Sequence, residues 1–153
     1  MSAPHRILGV VRVALCGALA LAGTDVDALF VVNQPWVKPG TRNTEGYMVL
    51  TSTEGATLIS VRSSIAAKAS LRGPNTHALA RTGLALPAGA AVVLRPGANR
   101  IVLTGLAHAL KLGQRVPLTL QIEMAGGDRE EIAVDAEVRT ESPLDAERRA
   151  HHH

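Results

Sequence analysis

Two runs of alternating apolar and polar residues, joined by a glycine-rich turn, constrain the fold more than any other feature of this sequence. Period two places one set of side chains inward and the other outward, which predicts two strands with one buried face each. The turn, Gly126-Gly127-Asp128, tolerates positive φ, so the runs should form a hairpin. Pro117 stands near the start of its strand, where a missing N–H does least harm. The inward positions are Val116, Leu118, Leu120, Ile122, Met124, Ile132, Val134, Ala136 and Val138.

Short apolar runs recur through the rest of the chain at intervals of about ten residues, with Gly, Pro or Asn between them. This pattern is typical of an antiparallel sandwich or barrel, and no long helical periodicity competes with it. The predicted strands are Leu29–Val32, Tyr47–Thr51, Thr57–Arg62, Lys68–Leu71, Ala91–Leu94 and Arg100–Leu103. The sequence therefore predicts a single all-β domain over residues 24–139.

The first residues have the features of a secretory signal. A basic stretch ending at Arg12 precedes an apolar run, Val13–Leu21, that is too short to span a bilayer. Ala20-Leu21-Ala22 supplies the small residues that a signal peptidase requires. Residues 1–22 are therefore predicted to be a cleaved signal peptide, with Gly23 or Thr24 as the mature start and Ala28 as a later alternative. The mature protein is expected in the periplasm of a Gram-negative cell, without a stable membrane span.

Two other readings of this segment are disfavoured. An uncleaved anchor would need a longer apolar run than the one interrupted at Arg12 and followed by Asp25 and Asp27. Lipid attachment at Cys16 would need a small residue before it, and Leu15 stands there. After cleavage no cysteine remains, so neither disulfide nor thiol chemistry is expected.

The charge of the mature chain excludes a nucleic-acid footprint. Removal of Arg6 and Arg12 leaves 14 of the 16 basic residues against 13 acidic ones, a net charge of +1. The aromatic residues Phe30, Trp36 and Tyr47 do not alternate with Lys and Arg, as a groove for single strands would require.

The end of the chain is polar. Beyond Thr140 the apolar alternation stops, and residues 140–153 are predicted to be a disordered tail. Its last residues, His151-His152-His153, would bind a divalent ion weakly or be the remnant of an expression tag.

The stretch from Leu84 to Leu106 carries a family resemblance. Pro87-Ala88-Gly89 leads into a short apolar strand, Pro96-Gly97 makes a turn, and a second strand runs into Thr104-Gly105-Leu106. This order resembles the periplasmic copper chaperone family PCu(A)C. The resemblance spans about residues 31 to 138 and includes the upstream segments Gln34-Pro35-Trp36-Val37, Glu45-Gly46-Tyr47-Met48 and Ile65-Ala66-Ala67.

The resemblance implies a cupredoxin-like antiparallel β-sandwich and copper as the bound metal. It also implies a His-x-Met pair after the Pro-Gly turn and a further histidine at the end of an earlier strand. This chain has Arg100 and Val102 at the first two positions and Arg72 at the third, and its loop Gly73–Gly83 contains no methionine. Arginine stays protonated and valine has no donor atom, whereas Cu(I) prefers thioether and imidazole ligands. The implied copper site is therefore degenerate.

Other donors remain in the predicted domain. His77 lies in the loop where the family has methionine and is the candidate metal ligand; its alternative is a solvated loop residue. His108, Met48 and Met124 are the other donors for a relocated site. Core packing is the competing explanation for both methionines, because each falls within a predicted strand.

Two functional classes follow. The first is a copper-chaperone-like protein with a degenerate site, which would deliver or bind copper in cuproprotein assembly. The second is a metal-free periplasmic module that binds a protein partner. In that case Arg72 and Arg100 should lie together and hold a partner's carboxylate. An enzyme is not expected, because the nucleophile-elbow, phosphate-loop and zinc-helix motifs are all absent from the sequence.

Overall fold

The computed structural model describes residues 29–151. The predicted signal peptide, Thr24 and the last two histidines lie outside these residues. The described part contains nine strands and two helices, and neither helix has the length and apolarity needed to cross a membrane. In chain order the elements are β1 (Phe30–Val37), β2 (Asn43–Ser52), β3 (Ala56–Arg62), β4 (Ala66–Arg72), α1 (Thr76–Thr82), β5 (Leu84–Leu86), β6 (Ala91–Leu94), β7 (Arg100–Leu106), β8 (Arg115–Met124), β9 (Arg129–Val138) and α2 (Pro143–His151).

The strands form one sheet in the order β4-β7-β2-β1-β9-β8-β3-β5, and β6 pairs with β2 beside β7. β3 also contacts β4, so the sheet curls into a nearly closed barrel around a single core. The prediction of a single all-β domain is confirmed. The pairing is mixed rather than purely antiparallel, because β1 runs parallel to β9. Those two strands are separated by most of the domain, so no hairpin forces them into opposite directions.

The predicted hairpin is formed by β8 and β9, which pair from Arg115 with Glu137 to Glu123 with Arg129. The Met124 N–H donates to the Asp128 carbonyl at 2.7 Å, and the Gly127 N–H donates to the Met124 carbonyl at 2.8 Å. Gly127 has φ of 97°, the conformation that this turn requires of a glycine. All the inward positions of the hairpin lie in or against the core.

The loop predicted between Gly73 and Gly83 contains helix α1. The Asn75 side chain caps it by accepting a hydrogen bond from the Ala78 N–H at 3.1 Å, and Leu79 is buried. One cap and one buried leucine are enough to form two turns of helix here. A single apolar residue gives no helical periodicity, which explains why the sequence suggested a loop.

The prediction of a disordered tail is wrong for most of its length, because Pro143–His151 is helix α2. Ser142 is its cap: the Ser142 hydroxyl accepts from the Asp145 N–H at 3.0 Å, and its carbonyl accepts from the Ala146 N–H at 3.1 Å. Proline at the first helical position suits this start, and the basic residues Arg148 and Arg149 suit its last turn. These signals mark only the ends of the helix, and the segment lacks the apolar stripe from which a helix is usually predicted.

Candidate functional site

Strand pairing brings the predicted site residues together. Arg72 on β4 lies directly opposite Arg100 on β7, and Ser70 lies opposite Val102. On the other edge of β7, Glu45 of β2 lies opposite Val102. The expectation that the two arginines lie side by side is confirmed.

These residues share the outward side of the sheet. The alternate positions of β4 and β7, Leu71, Ile101 and Leu103, are buried in the core. Successive strand residues point to opposite faces, so Arg72, Arg100 and Val102 face away from the core. We call this surface the arginine face and define it by these three residues together with Glu45 and Tyr47.

Arg100 is held in a polar network. Its Nε donates to Glu45 Oε2 at 3.1 Å, and its Nη1 donates to the Ala98 carbonyl at 3.0 Å. The Tyr47 hydroxyl donates to Glu45 Oε1. The Arg100 and Glu45 side chains are only 29% and 32% exposed, so solvent screens this ion pair less than the pairs elsewhere on the surface.

Trp36 of β1 and Lys38, which follows β1, contact the Tyr47 ring of this network. The Tyr47 and Trp36 ring centroids are 4.7 Å apart, and both residues are buried. Lys38 Nζ lies 5.7 Å from the centroid of the Tyr47 ring, within range of a cation–π interaction. Tyr47 is thus held by contacts to its ring as well as by the hydrogen bond of its hydroxyl.

The network shifts the pKa values of two of its members. Burial raises the pKa of the Tyr47 hydroxyl, and the hydrogen bond to the Glu45 carboxylate raises it further. Burial also acts to raise the pKa of Glu45, but hydrogen bonds from Tyr47 and Arg100 outweigh it and leave that pKa below its usual value of 4.5. Glu45 is therefore held as a carboxylate and Tyr47 as a phenol.

Arg72 is the open part of the arginine face. Its side chain is exposed, and within residues 29–151 it forms no ion pair. The next residue, Gly73, packs against the turn between β6 and β7: a Cβ at Gly73 would lie 3.1 Å from the Asn99 Cα. This contact ties the end of β4 to the turn that precedes Arg100, which fixes the two arginines relative to each other.

The remaining candidate donors are not assembled into a site. His77 is exposed on α1, and His108 is exposed with its Nδ1 3.1 Å from the Ala109 carbonyl oxygen. Met48 is buried opposite Leu94, and Met124 packs against the core. Core packing of both methionines is confirmed. Across the described residues, no group of three or more His, Cys, Asp or Glu side chains has the geometry to hold a metal ion.

The chemistry available on the arginine face is recognition of anions. Arg72 offers guanidinium donors that form no ion pair within residues 29–151, and Arg100 beside it has Nη2 as its remaining donor nitrogen. Sequence reasoning identified both arginines but missed Glu45 and Tyr47 as their partners. Strand alternation places Glu45 and Tyr47 on one face, but their position beside Arg100 depends on the pairing of β2 with β7.

Comparison with known proteins agrees with the fold. The family model described as "Putative lipoprotein LpqE-like" matches residues 25–138. A relative from Leifsonia xyli subsp. xyli, described as "Putative lipoprotein Lxx21020", is 32% identical over 99 residues. That alignment covers 59% of this chain and 60% of the relative, so it spans less than two thirds of the relative's length.

Solved structures with the same fold include copper-binding domains. The apo PCuAC domain from PmoF1 superposes with a TM-score of 0.64 and 22% identity over 77% of this chain and 98% of that domain. The copper-bound PCuAC domain from PmoF2 superposes with a TM-score of 0.60 and 21% identity, over 73% of this chain and 93% of that domain. The Cu(I) form of DR1885 from Deinococcus radiodurans superposes with a TM-score of 0.56 and 24% identity, over 80% of this chain and 86% of that protein. At these identities the likeness establishes the fold.

The lowered pKa of Glu45 predicts an acid-dependent loss of stability. A carboxyl whose pKa is depressed on folding stabilises the native state above its unfolded pKa, and this contribution is lost as pH falls through the folded value. The free energy of unfolding should therefore decrease more steeply below about pH 4.5 in the native sequence than in Glu45→Gln.

Urea unfolding between about pH 3 and pH 7 measures this difference. Glu131→Gln is the matched control, because it also removes a carboxylate from an ion pair with an arginine, Arg62. The Glu131 and Arg62 side chains are 48% and 62% exposed, so solvent screens that pair more strongly. Identical pH profiles for the native sequence and Glu45→Gln would show that the network contributes no pH-dependent stability.

Proposed function

Since the chain belongs to the LpqE-like family and has the PCuAC fold, we propose that it is an exported, copper-chaperone-like protein whose metal site is degenerate. The observation that carries this proposal is the Arg100–Glu45–Tyr47 network on the face where the PCu(A)C resemblance implies copper ligands. A guanidinium and a valine replace the imidazole and thioether there. The protein uses this face as a metal-free binding surface rather than to deliver copper.

Charge as well as donor chemistry opposes copper on this face. Cu(I) is a cation, and Arg72 and Arg100 place two permanent positive charges directly opposite each other. Glu45 offsets one of these charges, since its carboxylate is bonded to Arg100 and to Tyr47. A metal at this position would have to displace those hydrogen bonds and would gain no soft ligand in return.

The second candidate function is copper binding at a different set of donors. It is favoured by the position of His77 on α1, which follows the arginine-bearing end of β4 and presents an exposed imidazole. The solved domains that bind copper share this fold, so the fold is compatible with a copper site rebuilt near β4. Catalysis is not proposed for either candidate.

A Cu(I) competition titration against a chromophoric chelator separates the two candidates. The protein used is the full chain with His5→Ala, Cys16→Ser, His151→Ala, His152→Ala and His153→Ala, so that no histidine or cysteine of the terminal segments can contribute. The degenerate-site proposal expects no competition. One-to-one binding that is abolished by adding His77→Ala would contradict it and establish the second candidate.

If the native sequence does not compete for Cu(I), a variant with the copper ligands restored tests whether this face is where they were lost. Arg72→His, Arg100→His and Val102→Met together place three soft donors on one face, and this variant should compete for Cu(I). Its control carries the same three exchanges at exposed positions away from the face, Arg62→His, Arg129→His and Val93→Met, and should not compete. If the two variants bind Cu(I) equally, the arginine face is not the degenerate site.

The metal-free role implies a protein partner with a carboxylate group. Arg72 suits bidentate recognition of such a group, and the Nη2 of Arg100 can supply a further donor beside it. A photoreactive residue at Ser70, on the same face, should crosslink this partner in cells. Arg72→Glu should abolish the crosslink, whereas Arg62→Glu should leave it unchanged; an equal yield in the two chains would contradict the assignment.

Export is proposed from the residues that precede the described part. The family and its Leifsonia xyli relative are described as lipoproteins, and Cys16 is the residue to which a lipid would be attached in this chain. Leu15 before it argues for removal of the whole segment through Ala22. Mass spectrometry of the protein from cells should find an unmodified start at Gly23 or Thr24, and Ala22→Asp should block processing. A lipid-modified Cys16 at the N-terminus would contradict cleavage and establish a membrane anchor.

A further inference from the structure

A groove of about 620 Å³ lies away from the core, between the sheet and the C-terminal segment. We call Thr140–His151 the C-terminal arm; it comprises helix α2 and the residues leading into it. The floor of the groove is apolar and is formed by Trp36 of β1, Val49 of β2 and Val93 of β6. Trp36 and Val93 lie on the same face because their partners on β2, Tyr47 and Val49, are two residues apart.

The C-terminal arm covers this floor without being firmly attached to it. No residue of α2 is buried, and Leu144, which lines the groove, is 40% exposed. Within the described residues, the hydrogen bonds and ion pairs of the arm join it to itself or to Arg139. A helix of nine residues is marginal on its own, so the arm can be displaced at small energetic cost.

The groove carries unbalanced positive charge. Lys38 and Arg95 line it, and within residues 29–151 neither forms an ion pair. The two acids that line it are already paired, Glu141 with Arg149 and Asp145 with Arg148. An anionic ligand is therefore complementary to the groove.

Arg95 is positioned by the backbone. Its N–H donates to the Asn99 carbonyl at 3.0 Å, and its carbonyl accepts from the Ala98 N–H at 3.0 Å. Gly97 in this turn has φ of 82°. The turn thus presents Arg95 at the end of the β6 strand that supplies Val93 to the floor.

We propose that the groove is a binding site for an amphipathic carboxylate, with its alkyl chain on Trp36, Val49 and Val93 and its head group between Lys38 and Arg95. The volume lies within the range of small-molecule sites, and an apolar floor with a few polar groups is their usual composition. The arm closes over the chain, and Leu144 supplies the apolar contact from above. This site adjoins the arginine face through Trp36 and Lys38, but it shares no lining residue with that face and does not depend on the function proposed for it.

Trp36 is the only tryptophan of the chain, so its fluorescence reports directly on the groove. The full chain is titrated with decanoate below its critical micelle concentration, with decanol as the uncharged probe and isothermal calorimetry as the second readout. Decanoate should saturate at one equivalent, and decanol should bind at least about tenfold more weakly. Equal affinity for the two probes, or no saturable binding of decanoate by either readout, would overturn the proposal.

Variants locate the bound ligand. Arg95→Gln and Lys38→Gln should each weaken decanoate binding by about tenfold, whereas Lys111→Gln, an exposed lysine outside the groove, should have no effect. Val93→Glu places a carboxylate on the floor at a side chain that is already 47% exposed and should abolish binding. Circular dichroism checks that each variant is folded. If folded Val93→Glu binds decanoate with unchanged affinity, the ligand lies elsewhere and the proposal is overturned.

Discussion

At its centre, strand β2 buries a side chain on each of its two faces, and both candidate binding surfaces are built around that burial. Its neighbours Tyr47 and Met48 point to opposite sides of the sheet, yet they are 0% and 1% exposed. Met48 enters the core, where burial of such a side chain stabilises the fold by about 1.5–3 kcal/mol. Tyr47 lies on the outward side and needs separate cover. Trp36, Lys38 and the Arg100–Glu45 pair provide it, so both candidate binding surfaces adjoin a single buried tyrosine.

This arrangement explains how a fold shared with copper-binding domains accommodates arginine without loss of structure. Arg100 is paired with a carboxylate and a backbone carbonyl, so two of its donor nitrogens have partners inside the folded protein. Reversal to a metal site would leave the Glu45 carboxylate half-buried and without its cationic partner. Under the proposed function, the exchange of copper ligands on this face therefore involves the Arg100–Glu45–Tyr47 network and not a single substitution.

Much of the fold was predictable because its signals are local. Alternation predicted β8 and β9, and glycine chemistry predicted their turn. The proximity of Arg72 and Arg100 was expected from the family resemblance, and the β4–β7 register confirms it. The sequence did not predict α1 or α2, since both depend on caps and lack an apolar stripe. It also missed the groove, because the arm and β6 meet only through the tertiary fold. Glu45 as the partner of Arg100 required the β2–β7 register, which no periodicity encodes.

The central claim is that an Arg–Glu–Tyr network has replaced a metal site on the outward face of β2, β4 and β7. Its most direct test is a crystal structure of the protein grown anaerobically with Cu(I), with data collected at the copper absorption edge. The account predicts no anomalous density beside Arg72, Arg100 or Val102, and Arg100 within hydrogen-bond distance of Glu45 as found here at 3.1 Å. An anomalous copper peak on that face, with the Arg100–Glu45 pair opened, would contradict it.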